Sequence, residues 1–431
     1  MKKILIPIGY KQRELNYLSL LATFLETANF EVKLMYSNFE VYEQIYTWQP
    51  NIILLGQVNQ PENIQIAQYA HDSQIKVVVL NCEGTYDLTK PVVMFGKKLN
   101  SFVDLLIVWG KQHYQDALQT TNLPAKKITL LSTPKFDFYK KSLLTYYQQK
   151  KSYPKLDKTK KTICIATSFV SADETWEQIK HIHAYQQLGQ QKVEKKILAH
   201  QQLRDKFIEL ANELAKTKQF NLIFRPHPLE NKNYYLGKLK SKQIIFDNLI
   251  DPVELFSNLD VLIHRNSTLA CEAWMNQVLT LSFDPIFNAD QGLGEVVKHE
   301  QVFQQQNRLI KFLLKQNFKV SAAMKQKQQA YLLNWFGFKQ SEKKLSAQKI
   351  AIKLSQLKID QPQKIWHVNL LISFTLKILQ KIFRKQNAYE IIALIKGKKY
   401  QRLMSTLVIA PAEVTTKKKL YQKILANKNV K

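Results

Sequence analysis

The sequence predicts an α/β protein of two doubly wound domains facing each other across a cleft, with a helical C-terminal extension. Three observations predict it. Short apolar strands alternate with helical stretches in the first part of the chain, the alternation restarts after a charged, proline-broken link, and past Gln340 only helical patterns remain. Near-continuous apolar strands separated by helices belong in parallel sheets covered on both faces.

In the first domain, residues 1–150, β-rich runs fall at Ile4–Ile8, Val32–Tyr36, Ile52–Leu55, Val77–Leu80 and Leu105–Trp109. Stretches of helical spacing such as Glu14–Ala28 and Glu62–Asp72 lie between most of them. The link from Lys150 to Lys161 marks the boundary. In the second domain, residues 151–340, strands are expected at Thr162–Ala166, Asn221–Phe224, Ile244–Phe246, Val261–His264 and Val278–Leu281. Long helical patterns precede Phe220 and follow Ser267. Ligands of open α/β sheets bind at the carboxyl ends of the strands, so the cleft between the two sets of ends is the expected active site.

The third part, residues 341–431, carries 20 Lys/Arg against 4 Asp/Glu in a chain of net charge +29. Between Trp366 and Lys385, Asn369, Ser373, Lys377, Lys381 and Lys385 recur every four residues. Leu370, Leu371, Phe374, Ile378, Ile382 and Phe383 occupy the other faces. Such a helix suits the anionic inner surface of a membrane; packing on the protein's own core with its lysines in water is the competing reading. Nucleic acid could also explain the charge, but aromatic and basic residues are not interleaved as a stacking platform, so no specific nucleic-acid partner is expected.

With 45% apolar residues in 431, each domain can bury a core. Cys82, Cys164 and Cys271 lie far apart, which fits a reducing compartment and no disulfide framework. Pro7 and Gly9 interrupt the opening apolar run at once, so it reads as a first strand and not as a secretory signal. No uncharged apolar run is long enough to span a bilayer. The expectation is a cytoplasmic protein, peripheral on the membrane through its tail.

Three places carry candidate chemistry. Phe224-Arg225-Pro226-His227-Pro228 ends a strand, and its prolines hold His227 in a rigid extended turn beside the cationic Arg225. Arg225 offers charge to a phosphate, and His227 a hydrogen bond or proton. After Val261–His264, Ser267 and Thr268 open a helix, as a plain cap or as an anion site, with Glu272 one turn on and within reach of a ribose. Asn81-Cys82-Glu83-Gly84 ends a first-domain strand; Glu83 is a candidate general base, although acid-glycine pairs are common in surface turns. Thr167 and Ser168 end the first strand of the second domain and can add hydroxyls to a phosphate cradle, while Arg13 and Glu14 open the first helix on the acceptor side. His71, His113, His181 and His183 sit in helical, charged surroundings and are expected in water.

Dinucleotide and P-loop glycine motifs, zinc motifs and any Asp-x-Asp are missing from the sequence. No metal and no cofactor is therefore expected, and cationic groups and helix dipoles must stabilise a leaving nucleotide.

Together, the His-Pro pair, the Ser-Thr helix start with its downstream Glu-Ala and the strand-end Glu-Gly resemble metal-independent transferases of the GT-B fold, which pairs two Rossmann-like domains. Their order looks like the capsule and lipopolysaccharide biosynthesis proteins and is similar to bacterial sialyltransferases and other CMP-sugar transferases. Trp109-Gly110, the stretch Thr133–Asp137 and Arg13-Glu14-Leu15 also look like landmarks of that group. The resemblance covers roughly residues 1 to 300. It implies that Glu83 deprotonates the acceptor hydroxyl, that His227, Ser267 and Thr268 hold the leaving phosphate, and that Glu272 holds the ribose. Where the group often has two acids before the glycine, this chain has Cys82 and Glu83. The expected partners are a nucleotide-activated acidic sugar, a glycan or glycolipid acceptor and the inner membrane surface. Teichoic-acid-type CDP-glycerol or CDP-ribitol phosphotransferases share the His-Pro motif; a UDP-GlcNAc 2-epimerase shares the architecture, but no second acidic cluster is evident to serve it. A basic membrane- or nucleic-acid-binding protein is the non-enzymatic alternative.

Overall fold

The computed structural model describes the chain except residues 10, 36–37, 59–60, 82–101, 150–155, 181–182, 248–249, 287–293, 372–410 and 427–431. Glu83 and most of the basic amphipathic stretch lie outside the described residues. The chain divides into two compact units, 1–146 with 331–431, and 147–330.

In the first unit, β1 (Lys2–Pro7), β2 (Phe30–Met35), β3 (Ile52–Leu55), β4 (Lys76–Leu80), β5 (Leu105–Val108) and β6 (Ile128–Leu130) form a parallel sheet ordered β2-β1-β3-β4-β5-β6. The apolar runs recognised in the sequence form its centre; all four residues of β3 and of β5 are buried. Helices α1 (Lys11–Thr27), α2 (Asn38–Thr47) and α3 (Pro61–Asp72) connect the first four strands. Along α1, Leu15, Leu18, Leu21, Ala22 and Leu25 are buried at helical spacing.

The second sheet contains β7 (Lys161–Ala166), β8 (Phe220–Arg225), β9 (Ile244–Phe246), β10 (Val261–His264), β11 (Leu279–Phe283) and β12 (Gln301–Phe303) in the order β12-β11-β10-β7-β8-β9, again wholly parallel. Ile163, Ile165, Leu222, Phe224, Ile263 and Phe283 build its core with Leu203, Phe207 and Leu214 of the helix Gln190–Thr217. The helix after Ser267 is shorter than the sequence pattern suggests: Leu269–Met275 stops at Asn276, before Gln277 at φ 60°. Strands β6 and β12, three residues each at sheet edges, show no pattern that sequence periodicity detects.

The sequence places its second boundary at 340/341, but the chain returns to the first unit from Tyr331. Its seat is built by two glycines. A Cβ on Gly110 would lie 2.2 Å from Asn334 O, and one on Gly337, at φ +59°, 2.4 Å from Trp109 O. Around them Trp109, Phe136 and Phe336 pack ring on ring, and Ser132 Oγ donates to Phe336 O at 2.7 Å. Asp137, fully buried, accepts Ser346 N–H (2.8 Å) and Ala347 N–H (2.9 Å) at the start of the helix Ser346–Ser355, with Lys140 3.2 Å away. His113, expected in water, is instead 0% exposed, packed between Trp109 and Trp335. Charged neighbours in sequence say nothing about the helix face that turns inward.

Further along, Tyr69 Oη donates to Ile365 O at 2.7 Å, His367 stacks on Tyr42, and Leu370 joins the core. Trp366, Val368 and Leu371 stay 61–67% exposed. The helix Pro411–Ala426 lies along α1 through Lys11–Glu413 (2.7 Å) and Lys418–Glu26. Among the described residues, no helix is long and apolar enough to cross a membrane.

Candidate functional site

In the second sheet the chain moves outward from β7 to β8 and β9, then resumes on the other side at β10. That reversal opens a crevice outside the carboxyl ends of β7 and β10, the general ligand position in such sheets. Ala166 pairs with Arg225 and Ile165 with Ile263, so the ends of β10, β7 and β8 are neighbours. They carry Asn266-Ser267-Thr268, Thr167-Ser168 and Pro226-His227-Pro228 respectively.

Glu230, only 3% exposed, ties two of these ends together. It accepts from Thr167 Oγ1 (2.5 Å), His227 N–H (2.9 Å) and Phe169 N–H. Burial pushes its pKa up, and those donors oppose the shift. The Thr167 hydroxyl thus donates to an internal carboxylate and acts as a brace, while half-buried Ser168 stands at the strand end beside it. His227 is partly exposed, and its Nδ1 accepts Leu229 N–H at 3.3 Å. The proton of the neutral ring therefore sits on Nε2, which makes that atom a donor.

Arg225 departs from its expected role. Its Nη1 pairs with Asp247 (3.2 Å) and its Nη2 donates to Ile250 O (2.7 Å), so its charge is matched inside the protein. Arg265 is likewise held by Asp284 at 2.7 Å. Ser267 Oγ accepts Leu269 N–H at 3.3 Å as a local cap, whereas Thr268 makes no side-chain cap. Glu272 is 5% exposed within the helix Leu269–Met275. Asn266 takes φ 48° at the turn, and a Cβ on Gly294 would come within 2.3 Å of Asn266 Oδ1, so that glycine permits a close approach.

Sequence reading missed Glu230, His264 and Glu300. Glu230 follows the His-Pro pair by two residues, a spacing that places a carboxylate beneath the turn. His264 hid as the last residue of an apolar strand. His200, close to Phe169, is held near pKa 4 by burial, with Lys196 and Arg265 adding to the shift, and is neutral at pH 7. Cys164, within β7, is pushed up to about 12 by burial.

In the first unit the corresponding reversal lies between β1 and β3. Ile6, Pro7, Glu14, Tyr17, Leu55 and Gly56 line a small pocket there. Glu14 is 7% exposed and accepts Gly9 N–H at 2.7 Å, while Arg13 is exposed.

These features define the class: two Rossmann-like domains of a GT-B fold, with additional C-terminal helices. No family model matches the sequence, and no curated protein matches it. Solved structures do match the fold. A Listeria monocytogenes protein assigned as a UDP-N-acetylglucosamine 2-epimerase shares 13% identity at TM-score 0.54, over 85% of this chain and 100% of that one. The UDP-GlcNAc 2-epimerase of Methanocaldococcus jannaschii, solved with UDP-GlcNAc and UDP, gives 10% and 0.52 over 82% and 99%. The wall teichoic acid polymerase TagF, soaked with CDPG, gives 14% and 0.53 over 82% and 87%.

Proposed function

We propose that this protein is a metal-independent, cytoplasmic glycosyltransferase of surface polysaccharide or glycolipid synthesis, taking an acidic sugar from a CMP donor with inversion. The observation that carries the reading is the adjacency of the β10, β7 and β8 carboxyl ends at the chain reversal, with Ser267, Thr268, Ser168 and His227 upon them. Their side chains are hydrogen-bonding groups matched to a nucleotide phosphate. His227 Nε2–H donates to the phosphate oxygen that gains charge as the glycosidic bond to it breaks, and the hydroxyls share that load. Arg225 stiffens the turn, and Glu272 meets the ribose. Glu83 takes the proton of the acceptor hydroxyl as its oxygen attacks the anomeric carbon. Arg13 and Glu14 face the acceptor. The basic C-terminal residues, with exposed Trp366, Val368 and Leu371, hold the enzyme at an anionic membrane where a glycolipid acceptor resides.

The His-Pro motif and the fold shared with TagF support a second reading, transfer of a polyol phosphate from CDP-glycerol or CDP-ribitol. Calorimetry with CMP, CDP, UDP and GDP tests both. Cytidine nucleotides are expected to bind, and turnover of a CMP-sugar against CDP-glycerol then separates the two readings. Binding of UDP alone, with 2-epimerisation of UDP-GlcNAc, sinks both, as does the binding of none.

A further inference from the structure

Beneath the β10 end lies a buried pair that the proposed chemistry does not use. His264 closes β10 with 0% exposure, and its Nε2 lies 3.0 Å from Oε1 and 2.8 Å from Oε2 of Glu300, whose side chain is equally buried. On the other side of the ring, Nδ1 accepts Ser267 N–H at 3.1 Å. Taken together these contacts settle the proton inventory. An N–H only donates, so Nδ1 is bare, and the single hydrogen of a neutral ring then sits on Nε2, towards Glu300. The imidazole is therefore the neutral Nε2–H tautomer, fixed from behind as a carboxylate fixes a metal-bound or catalytic histidine.

We infer that His264 is a positioning residue: oriented by Glu300, it anchors the Ser267 amide and thereby sets the turn that presents Asn266, Ser267 and Thr268. The turn needs an anchor. Asn266 takes the left-handed conformation, which asparagine tolerates better than other L-residues but which reverses the chain at this point, and the helix that follows has only seven residues. The inference rests on the proposed phosphate role of Ser267 and Thr268 for its consequence on binding, but not for its consequence on the backbone.

The test exploits side-chain length. Glutamine places its amide near the position of Nε2, keeps a donor for Glu300 and offers no acceptor at Nδ1. Asparagine places its oxygen near Nδ1 and reaches no further. The variant His264→Gln should therefore melt cooperatively near the wild-type temperature, exchange the Ser267 amide hydrogen about tenfold faster and bind CMP about tenfold more weakly, the loss of one buried hydrogen bond. The double variant His264→Asn/Glu300→Gln keeps an acceptor for Ser267 and replaces the buried carboxyl group with a neutral amide. It should return both quantities to within about threefold of wild type. Should His264→Gln fail to fold, Glu300→Gln alone, which frees the tautomer while keeping the ring, should still speed Ser267 exchange. Wild-type exchange at Ser267 in His264→Gln, or in Glu300→Gln if that variant has to stand in, overturns the inference. Absence of CMP binding in the wild type overturns the phosphate reading instead, and leaves the exchange experiment to decide the role of His264.

Discussion

The two sheets reverse direction in the same way and end in different chemistry. At the β1/β3 reversal the pocket is walled by Ile6, Pro7, Leu18, Leu54 and Leu55, and its carboxylate, Glu14, already accepts a backbone N–H. At the β7/β10 reversal the strand ends carry hydroxyls and an imidazole, underlaid by the buried carboxylates Glu230 and Glu300. Topology supplies a crevice in each unit; side chains decide which crevice suits a charged phosphate. The first unit spends its conspicuous residues differently. Trp109-Gly110 and Thr133–Asp137, landmarks of the resemblance, form the seat for the returning C-terminal segment.

That contrast is open to breakage. The largest effect is expected for His227→Ala, which removes the proposed donor to the leaving phosphate and should lower transfer by about a hundredfold or more with little change in melting; Glu83→Gln should do the same from the acceptor side. Full activity in both variants ends the mechanism. Gly337→Ala should act in the opposite manner: a Cβ forced on Trp109 O at positive φ should cost about 3 kcal/mol in denaturant unfolding and leave nucleotide affinity unchanged once folded. A smaller pair divides brace from ligand within the second unit. Thr167→Val should lose about 1–2 kcal/mol because Glu230 keeps a buried lone pair without its donor, whereas Ser168→Ala should leave stability intact and weaken nucleotide binding several-fold.

The smallest effect is a slope. Burial raises the Glu230 pKa above its unfolded value, so the native state holds that proton more tightly than the unfolded chain does. Its stabilising contribution is complete below the ordinary carboxylate range and is lost as pH rises through the raised value. Relative to Glu230→Gln, wild-type stability should fall with rising pH across that window, by at most about 1.4 kcal/mol per pH unit. A flat difference between the two proteins would show that the hydrogen-bond donors balance burial, and a rise with pH that they outweigh it.

Much of this was legible in the chain. Ten of the twelve strands among the described residues coincide with apolar runs seen in the sequence, within a residue or two at each end. His227, Ser168, Ser267 and Thr268 stand out as candidates because proline and hydroxyl residues directly follow such runs. Arg225 and Thr167 were legible as residues but not as roles: whether a guanidinium or hydroxyl faces a ligand or an internal partner depends on Asp247 and Glu230, distant by 22 and 63 positions. His113 shows the same limit, since its burial is set by Trp335, more than two hundred residues away.

The sequence by itself determined the alternation of strand and helix, the two parallel sheets and the strand ends that bear polar groups, because periodicity and turn chemistry act between near neighbours. Only the tertiary structure decided that residues from Tyr331 onward return to the first unit, that Arg225 is internally paired, and that His264 bridges Glu300 to Ser267. Each of those outcomes is a contact between residues far apart in the chain, and hydrogen bonds and close packing of that kind leave no periodic trace along it.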